Sequence, residues 1–479
     1  MSATTSPSLL TNLFYLGGSR LTVVCMNLVT TSFMARALDA HAYGILSFST
    51  SYVAYFIIAV ALGYDTLVTR DVAHDPSRTR HIVEGMLAVR GLLALLCTAG
   101  MGVGLLIFDR PAVTNAAVIV QTITLFSVAL GLSSVFQGLQ EMRVIAFREF
   151  FTSLINMAAT LLLIRSPNDV VLAAAIGSVT QLLMNFMILR QYARRFGFPR
   201  LRLPKRADLM VARQSLTFFW LSLMVAITYN FHFVLLGLQR SDQEVGFFAV
   251  GWKLFNFAII LPNLIAALFL PRIAQLRDFP QQRTAATMAY MQATLICTVP
   301  ITMLGEGVIP QIVTVLFGQN YLPASQAVGI LFVNALLVGI NVALGTPLMA
   351  LGRQKELLRA VMIGAVVGIG ANLVLVPWQG IRGAALATLV NELVVLAVLV
   401  SSRPDMPLRR VVGFGLRCLG AVLPALYLTQ WLANGPLQDW PVFASLLLAG
   451  STGIVAYLLL LRMLGVHALR VVNDLRHLR

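Results

Sequence analysis

"LFYLGGSRLTVVCMNLV" runs from Leu13 to Val29 and would pass for the middle of a membrane helix if Arg20 did not sit inside it. A cationic side chain at the bilayer centre costs roughly 2.5–3.5 kcal/mol even on the lenient insertion scale, so something must compensate that guanidinium. The apolar character extends far beyond this stretch. Of 479 residues, 58% are hydrophobic and 11% charged, and the mean hydropathy is +0.82, well beyond ordinary soluble domains. Stretches of roughly 20 apolar residues, long enough to span a bilayer as helix, recur with short polar breaks. The pattern predicts about fourteen spans: 10–35, 44–69, 82–108, 113–138, 144–164, 170–189, 214–237, 246–270, 285–304, 325–351, 357–376, 383–400, 411–432 and 441–461. Backbone groups in lipid must be satisfied within a helix or a closed barrel, and period-2 alternation is absent. The expected fold is therefore an all-α polytopic membrane protein.

The four cysteines fall inside apolar spans without CxxC spacing, which argues against a disulfide framework or a metal site. The first residues, "MSATTSPSLL", carry no basic n-region and no small-residue cleavage site, so no cleaved signal is expected. Lysine and arginine are distributed 26 against 5 between the two sides of the spans, with Arg20, Arg90, Lys253 and Arg417 inside them. By the positive-inside rule the heavily charged side is cytoplasmic and so are both termini. That bias, with contact to anionic headgroups, accounts for the net charge of +16 without nucleic acid as a partner.

The longest basic break, Arg190 to Arg213, follows span six and reads as a linker between halves. The expected organisation is an N-lobe over 1–192, the basic linker over 193–213, a C-lobe over 214–402, and two extra helices with a cytoplasmic tail over 403–479. An internal repeat is visible where "ALDAHAYGILSFS" (37–49) and "LQRSDQEVGFFAV" (238–250) both follow the first span of a half and lead through a polar turn to Gly44 or Gly246. A second match pairs "LAAAIGSV" (172–179) with "RGAALATL" (382–389). Even-numbered halves enter the membrane from the same side, which relates the lobes by a pseudo-twofold axis along the membrane normal.

Arg20, Asn27 and Thr31 lie seven and eleven positions apart, on one helical face. Similar polar stripes include Asn156 on span five, Gln181 on span six, and Asn334 with Asn341 on span ten. Interhelical hydrogen bonding explains any one of these, whereas several stripes at once favour a hydrated cavity. The in-span cations outnumber nearby carboxylates, so an anion arriving from outside the chain is the expected partner of Arg20, with a structural salt bridge as the alternative. Arg90 and Lys253 fit either such an anion or snorkelling to the interface. Glu392, His232 and Asp65 are the candidates for coupling to a proton or a sodium ion, since buried titratable groups can respond near neutral pH; a core hydrogen bond is the plainer alternative. No Walker A, HExxH or long outer loop with paired acids is present, so no enzyme, cofactor or metal is expected.

Several segments resemble the Wzx-type polysaccharide flippase branch of the multidrug/oligosaccharidyl-lipid/polysaccharide exporter superfamily: "VIPQIVTVLFGQNYLPASQAVGILFVNALL" (308–337), "ANLVLVPWQGIRGAALATLVNEL" (371–393), "ALDAHAYGILSFS" (37–49) and "LGYDTLVTRDVA" (62–73). The resemblance implies two six-helix lobes facing a central cationic cavity, two further C-terminal helices, and a place in the bacterial inner membrane. It also implies alternating access that carries a polyprenyl-diphosphate-linked oligosaccharide, an exopolysaccharide or O-antigen unit, to the outer leaflet, with polysaccharide polymerase machinery as a further partner. Related flippases carry basic residues on the first, second and eighth helices, and Arg20, Arg70 and Lys253 fall there. One departure is His232, in "YNFHFVLLG" (229–237), where the family pattern leads us to expect an aspartate. A lipid-linked peptidoglycan precursor is an alternative substrate. A drug or cation antiporter of the same superfamily is another, against which Arg20 argues.

Overall fold

A computed structural model describes residues 9–107, 110–200, 202–402, 408–438 and 440–466, without the side chains of 9–21, 221, 271, 304, 306 and 408. Among these residues the chain is helical throughout, with no strand. The first helix, α1 (Leu9–Ala61), has 53 residues. At 1.5 Å per residue it would reach about 80 Å, twice a bilayer, if straight. It bends at Asp39, whose φ of 62° and ψ of 178° lie in a region that glycine normally occupies. Asp39 Oδ1 accepts from the Ala42 amide at 2.9 Å and so caps the second half, which explains why an aspartate can hold this turn. Span 10–35 falls on the first limb of this bent helix, and span 44–69 runs from the second limb into α2 (Tyr64–His74). A second break follows at Leu62 and Gly63, both at positive φ.

The helices divide into two compact units, Met1–Gly246 and Phe247–Arg479. The first holds α1, α2 (Tyr64–His74), α3 (Thr79–Ile107), α4 (Ala112–Ala129), α5 (Ser133–Gly138), α6 (Met142–Leu163), α7 (Val170–Phe196), α8 (Arg206–Gln239) and the opening turns of α9 (Asp242–Ala258). Leu67, Val68 and Val72 of α2 bury against Met86 of α3, Phe136 of α5 and Tyr192 of α7. Helices α7 and α8 reach into the basic stretch and leave 197–205 between them. Acidic anchors tie this stretch down. Glu141 pairs with Arg195, Glu84 accepts from the Arg200 amide at 3.3 Å, and Asp208 accepts from Arg202 at 3.0 Å and from the Lys205 amide at 2.7 Å. The Arg202 hydrogen bonds hold the Asp208 carboxyl below the ordinary carboxylate range, so this anchor stays ionised at neutral pH.

The second unit holds the rest of α9, α10 (Ile260–Gln275), α11 (Pro280–Glu306), α12 (Ile309–Phe317), α13 (Ser325–Ala350), α14 (Gln354–Gln379), α15 (Ile381–Ser401), α16 (Leu408–Asn434) and α17 (Val442–Met463). Here α15 packs on both α13 and α14. Small residues make that possible: a Cβ on Gly383 would meet the Leu375 carbonyl oxygen at 2.0 Å, and Ala384, Ala385 and Ala387 are buried. Twelve helical stretches among the described residues are long and apolar enough to cross a bilayer; Thr22–His74 enters as one despite its bends, and Asp242–Gln275 takes in α9 and α10.

Candidate functional site

Arg90 is fully buried on α3, and the structure gives it internal partners. One terminal nitrogen lies 3.0 Å from Asp65 Oδ2 and 3.2 Å from the Ala61 carbonyl, the other lies 3.4 Å from the Gly131 carbonyl, and the guanidinium stands over the Tyr64 ring. Ala61 and Gly131 mark the places where α1 and α4 break off. Helix ends leave carbonyls without intrahelical donors, so a cation there satisfies acceptors that hydrocarbon could not. Asp65 and Arg90, which the sequence offered for different tasks, are one ion pair.

A second polar cluster lies in the second unit. Both carboxylate oxygens of Glu392 on α15 are held by amides: Oε2 accepts from Asn341 Nδ2 at 2.7 Å and Oε1 from Asn391 Nδ2 at 3.0 Å. Asn341 also donates to the Glu392 carbonyl at 3.0 Å, which fixes its amide nitrogen toward α15. A Cβ on Gly368 of α14 would stand 3.2 Å from Asn391 Oδ1, so a glycine there leaves room for that amide. No lysine, arginine or histidine comes within ion-pair distance of Glu392 among the described residues. Asn334, two turns away from Asn341 on α13, is wholly buried and neither of its amide atoms finds a partner among the described residues. The sequence marked Glu392, Asn341 and Asn334 without marking Asn391, because an asparagine next to a glutamate in a helix does not ordinarily face it.

The remaining candidates are dispersed. Arg20 lies on α1 with its side chain outside the described residues. On the same helix Asn27 is exposed and Thr31 shares a hydrogen bond with Tyr43. Arg70 is exposed on α2 and pairs with its neighbour Asp71 at 2.8 Å. Asn156, half-buried on α6, accepts from Thr160 at 3.3 Å, and Gln181 is half-buried on α7. His232 is buried on α8 with its ring 4.7 Å from that of Phe233. Lys253 on α9 is exposed although Trp252, Leu254 and Phe255 beside it are buried, and no carboxylate lies within ion-pair distance of it among the described residues.

One feature of the first unit was legible only in part. The matched segments around Gly44 and Gly246 meet: a Cβ on Gly44 would fall 1.6 Å from the Asp242 carbonyl oxygen, and one on Gly246 would fall 2.0 Å from the Ala40 carbonyl oxygen. The contacts are reciprocal, since both carbonyls stand four residues before the opposite glycine. Beside this crossing Arg110 pairs with Asp242, donates to the Gly237 carbonyl at 2.7 Å, and stands 4.5 Å over the Phe48 ring. Both charged side chains are largely buried. Removing one member of a buried pair typically costs about 3–5 kcal/mol, while replacing both by apolar residues is far milder. Arg110→Met and Asp242→Leu are thus each expected to lower the melting temperature of the purified protein sharply, and the double variant to recover most of the loss. Additive losses in the double variant would refute a coupled pair.

With the geometry in place, comparison with known proteins defines the class. A family model described as "Polysaccharide biosynthesis protein" matches residues 9–277. The chain belongs to that family. A Shigella dysenteriae protein named "Putative O-antigen transporter" is 23% identical over 383 residues, which cover 78% of this chain and 94% of that protein. Among solved structures, the one described as "Lipid II flippase MurJ, inward closed conformation" superposes with a TM-score of 0.78 at 12% identity, over 93% of this chain and 98% of the other. A multidrug resistance MATE family transporter in an inward-facing conformation superposes with a TM-score of 0.63 at 13% identity, over 82% and 95%. These two likenesses establish the fold. The relatives are transporters, and the chain is a transporter of that family and not an enzyme.

Proposed function

We propose that the protein flips a polyprenyl-diphosphate-linked oligosaccharide, an exopolysaccharide or O-antigen repeat unit, from the cytoplasmic to the outer leaflet of the bacterial inner membrane by alternating access. The observation that carries this reading is Lys253, an exposed cation in the membrane-length stretch Asp242–Gln275 with no carboxylate in reach among the described residues, in contrast to the internally paired Arg90. A cation left so in a membrane interior calls for an anion from outside the chain. A relative named as an O-antigen transporter supports the oligosaccharide part of the reading. The substrate's sugars and diphosphate cannot cross unaided, since each unsatisfied polar group in hydrocarbon costs several kcal/mol, whereas its lipid tail need never leave the bilayer. We assign Arg20, Arg70 and Lys253 to the diphosphate, because guanidinium and ammonium groups complement phosphate oxygens. Our topology has fourteen crossings and cytoplasmic termini, from the 26-to-5 charge distribution. The membrane potential then favours the step, by roughly 2.3 kcal/mol per charge per 100 mV for an anion leaving a negative interior.

The test is the lipid itself. Cells deleted for the gene should accumulate a lipid-linked oligosaccharide on the inner leaflet, and the purified protein in liposomes should restore its transfer. Absence of both would end the reading.

We assign ion coupling to Glu392, a carboxylate held by two neutral amides and by no cation among the described residues. Glu392→Gln preserves shape, and one of the two asparagines can turn its amide to accept from the new N–H. The variant is expected to bind substrate normally while transport in liposomes loses its dependence on an imposed proton or sodium gradient. Gradient dependence equal to wild type would leave Glu392 a structural hydrogen-bonding group.

A further inference from the structure

We propose that Arg148 is a fixed anion-binding residue of the first unit that takes a phosphate group of the lipid carrier's diphosphate, an inference that rests on the flippase reading above. By charge Arg148 counts with the polar break before span 144–164, although it lies inside that span; α6 begins at Met142, so it stands in the second turn of a membrane-length helix, half-buried. One terminal nitrogen donates to Asn185 Oδ1 of α7 at 3.1 Å. Asn185 in turn donates through Nδ2 to the Ser127 carbonyl at 2.8 Å and to the Ser127 hydroxyl at 2.9 Å, on α4. A carbonyl can only accept, so the amide nitrogen must face Ser127 and the amide oxygen must face Arg148. Asn185 and Ser127 are both almost wholly buried, so three helices fix where the guanidinium stands.

What distinguishes this arginine is the charge of its partner. Arg90, Arg110, Arg195, Arg202 and Arg353 each meet a carboxylate, whereas Arg148 has none within ion-pair distance among the described residues. Its Nε is buried and makes no hydrogen bond. The neighbouring Glu149 is exposed and makes no ion pair with Arg148 among the described residues. A neutral amide orients the guanidinium without cancelling its charge, and its other terminal nitrogen, which is not buried, makes no hydrogen bond among the described residues. A planar fork of donors, held in place and still positive, matches phosphate oxygens bidentately. The polar seam continues along α4 and α7, where Thr124 donates to Ser178 at 3.0 Å.

Purified protein in neutral detergent would be titrated with farnesyl diphosphate by calorimetry, for wild type, Arg148→Gln and Arg148→Lys. Arg148→Gln should bind about tenfold more weakly or worse, as expected for loss of a charge-assisted hydrogen bond, and Arg148→Lys should fall between. Ligand-free melting temperatures should match wild type in both. Equal affinity in Arg148→Gln would overturn the proposal alone, and so would a melting temperature lowered equally in both variants, which marks a structural tie. A bilayer phospholipid offers the same phosphate chemistry. If phosphatidylglycerol displaces farnesyl diphosphate at equal concentration, the site is a headgroup site and the proposal fails. No binding by wild type would instead overturn the diphosphate reading of the whole transporter.

Discussion

A Gly44→Ala protein is expected to lose export and to lose most of its folded population, the largest effect expected of alanine at any of the described glycines. The new Cβ would stand 1.6 Å from a backbone oxygen, and a backbone atom cannot swing aside as a side-chain tip can. The second limb of α1 and the opening turn of α9 would have to separate by more than 1 Å along the crossing. Overpacking of a well-filled interior costs typically 1–3 kcal/mol where side chains absorb it, and more where they cannot. The displacement would also pull Asp242 from Arg110. Gly246→Ala should behave alike, by the reciprocal contact with Ala40. Gly91 on α3 is the control, with nothing within 4 Å of the added carbon, and alanine there should be tolerated. Normal abundance and export of Gly44→Ala, measured in membranes, would show that the crossing is not needed.

Arg20→Ala should nearly abolish export while the protein stays at normal abundance, because the group removed is assigned to a ligand and no buried ion is left without its partner. A charge-assisted hydrogen bond contributes about 1.5–3 kcal/mol, roughly ten- to a hundred-fold in binding, and a diphosphate held by few cations loses much with one. Arg20→Lys should retain part of the activity, since an ammonium keeps the charge without the fork. A salt bridge within the fold leads to a different result. Breaking it would cost about 3–5 kcal/mol and deplete folded protein, and a second substitution at the carboxylate would restore it. Measuring membrane abundance alongside polysaccharide export separates the two.

The helices were legible because lipid demands length and apolarity at every position of a span, a one-dimensional requirement that hydropathy records directly. Their irregularities were not. Asp39 belongs to a polar turn in the sequence, yet the turn is a bend inside one helix, and nothing short of the backbone angles shows it. Partners were harder still. Asp65 and Arg90 both stood out, but which charge meets which depends on where α1 ends, at Leu62 and Gly63. Arg110 counted only as a charge between spans and Asp242 was not singled out, and their burial follows from helix ends packing together, which periodicity does not report. Arg148 was misplaced for a related reason: a charge close to the start of a span looks like part of the preceding break. Glu392 was found because a carboxylate in an apolar run is conspicuous, while its second amide, Asn391, needed the side-chain geometry.

The pairing of Arg90 bears on how the chain is made. Asp65 and the Ala61 carbonyl precede Arg90 in synthesis, whereas Gly131 is translated later. The helical hairpin of the second limb of α1, α2 and α3 therefore holds both signs of charge before α4 exists, and it can leave the translocation channel as a neutral body. On its own α3 would carry an unpaired guanidinium into lipid, at the cost that Arg20 raised for the first span. Insertion of the third span is thus tied to the presence of the second, and the hairpin, rather than α3 alone, becomes the unit in which Arg90 is delivered to the membrane.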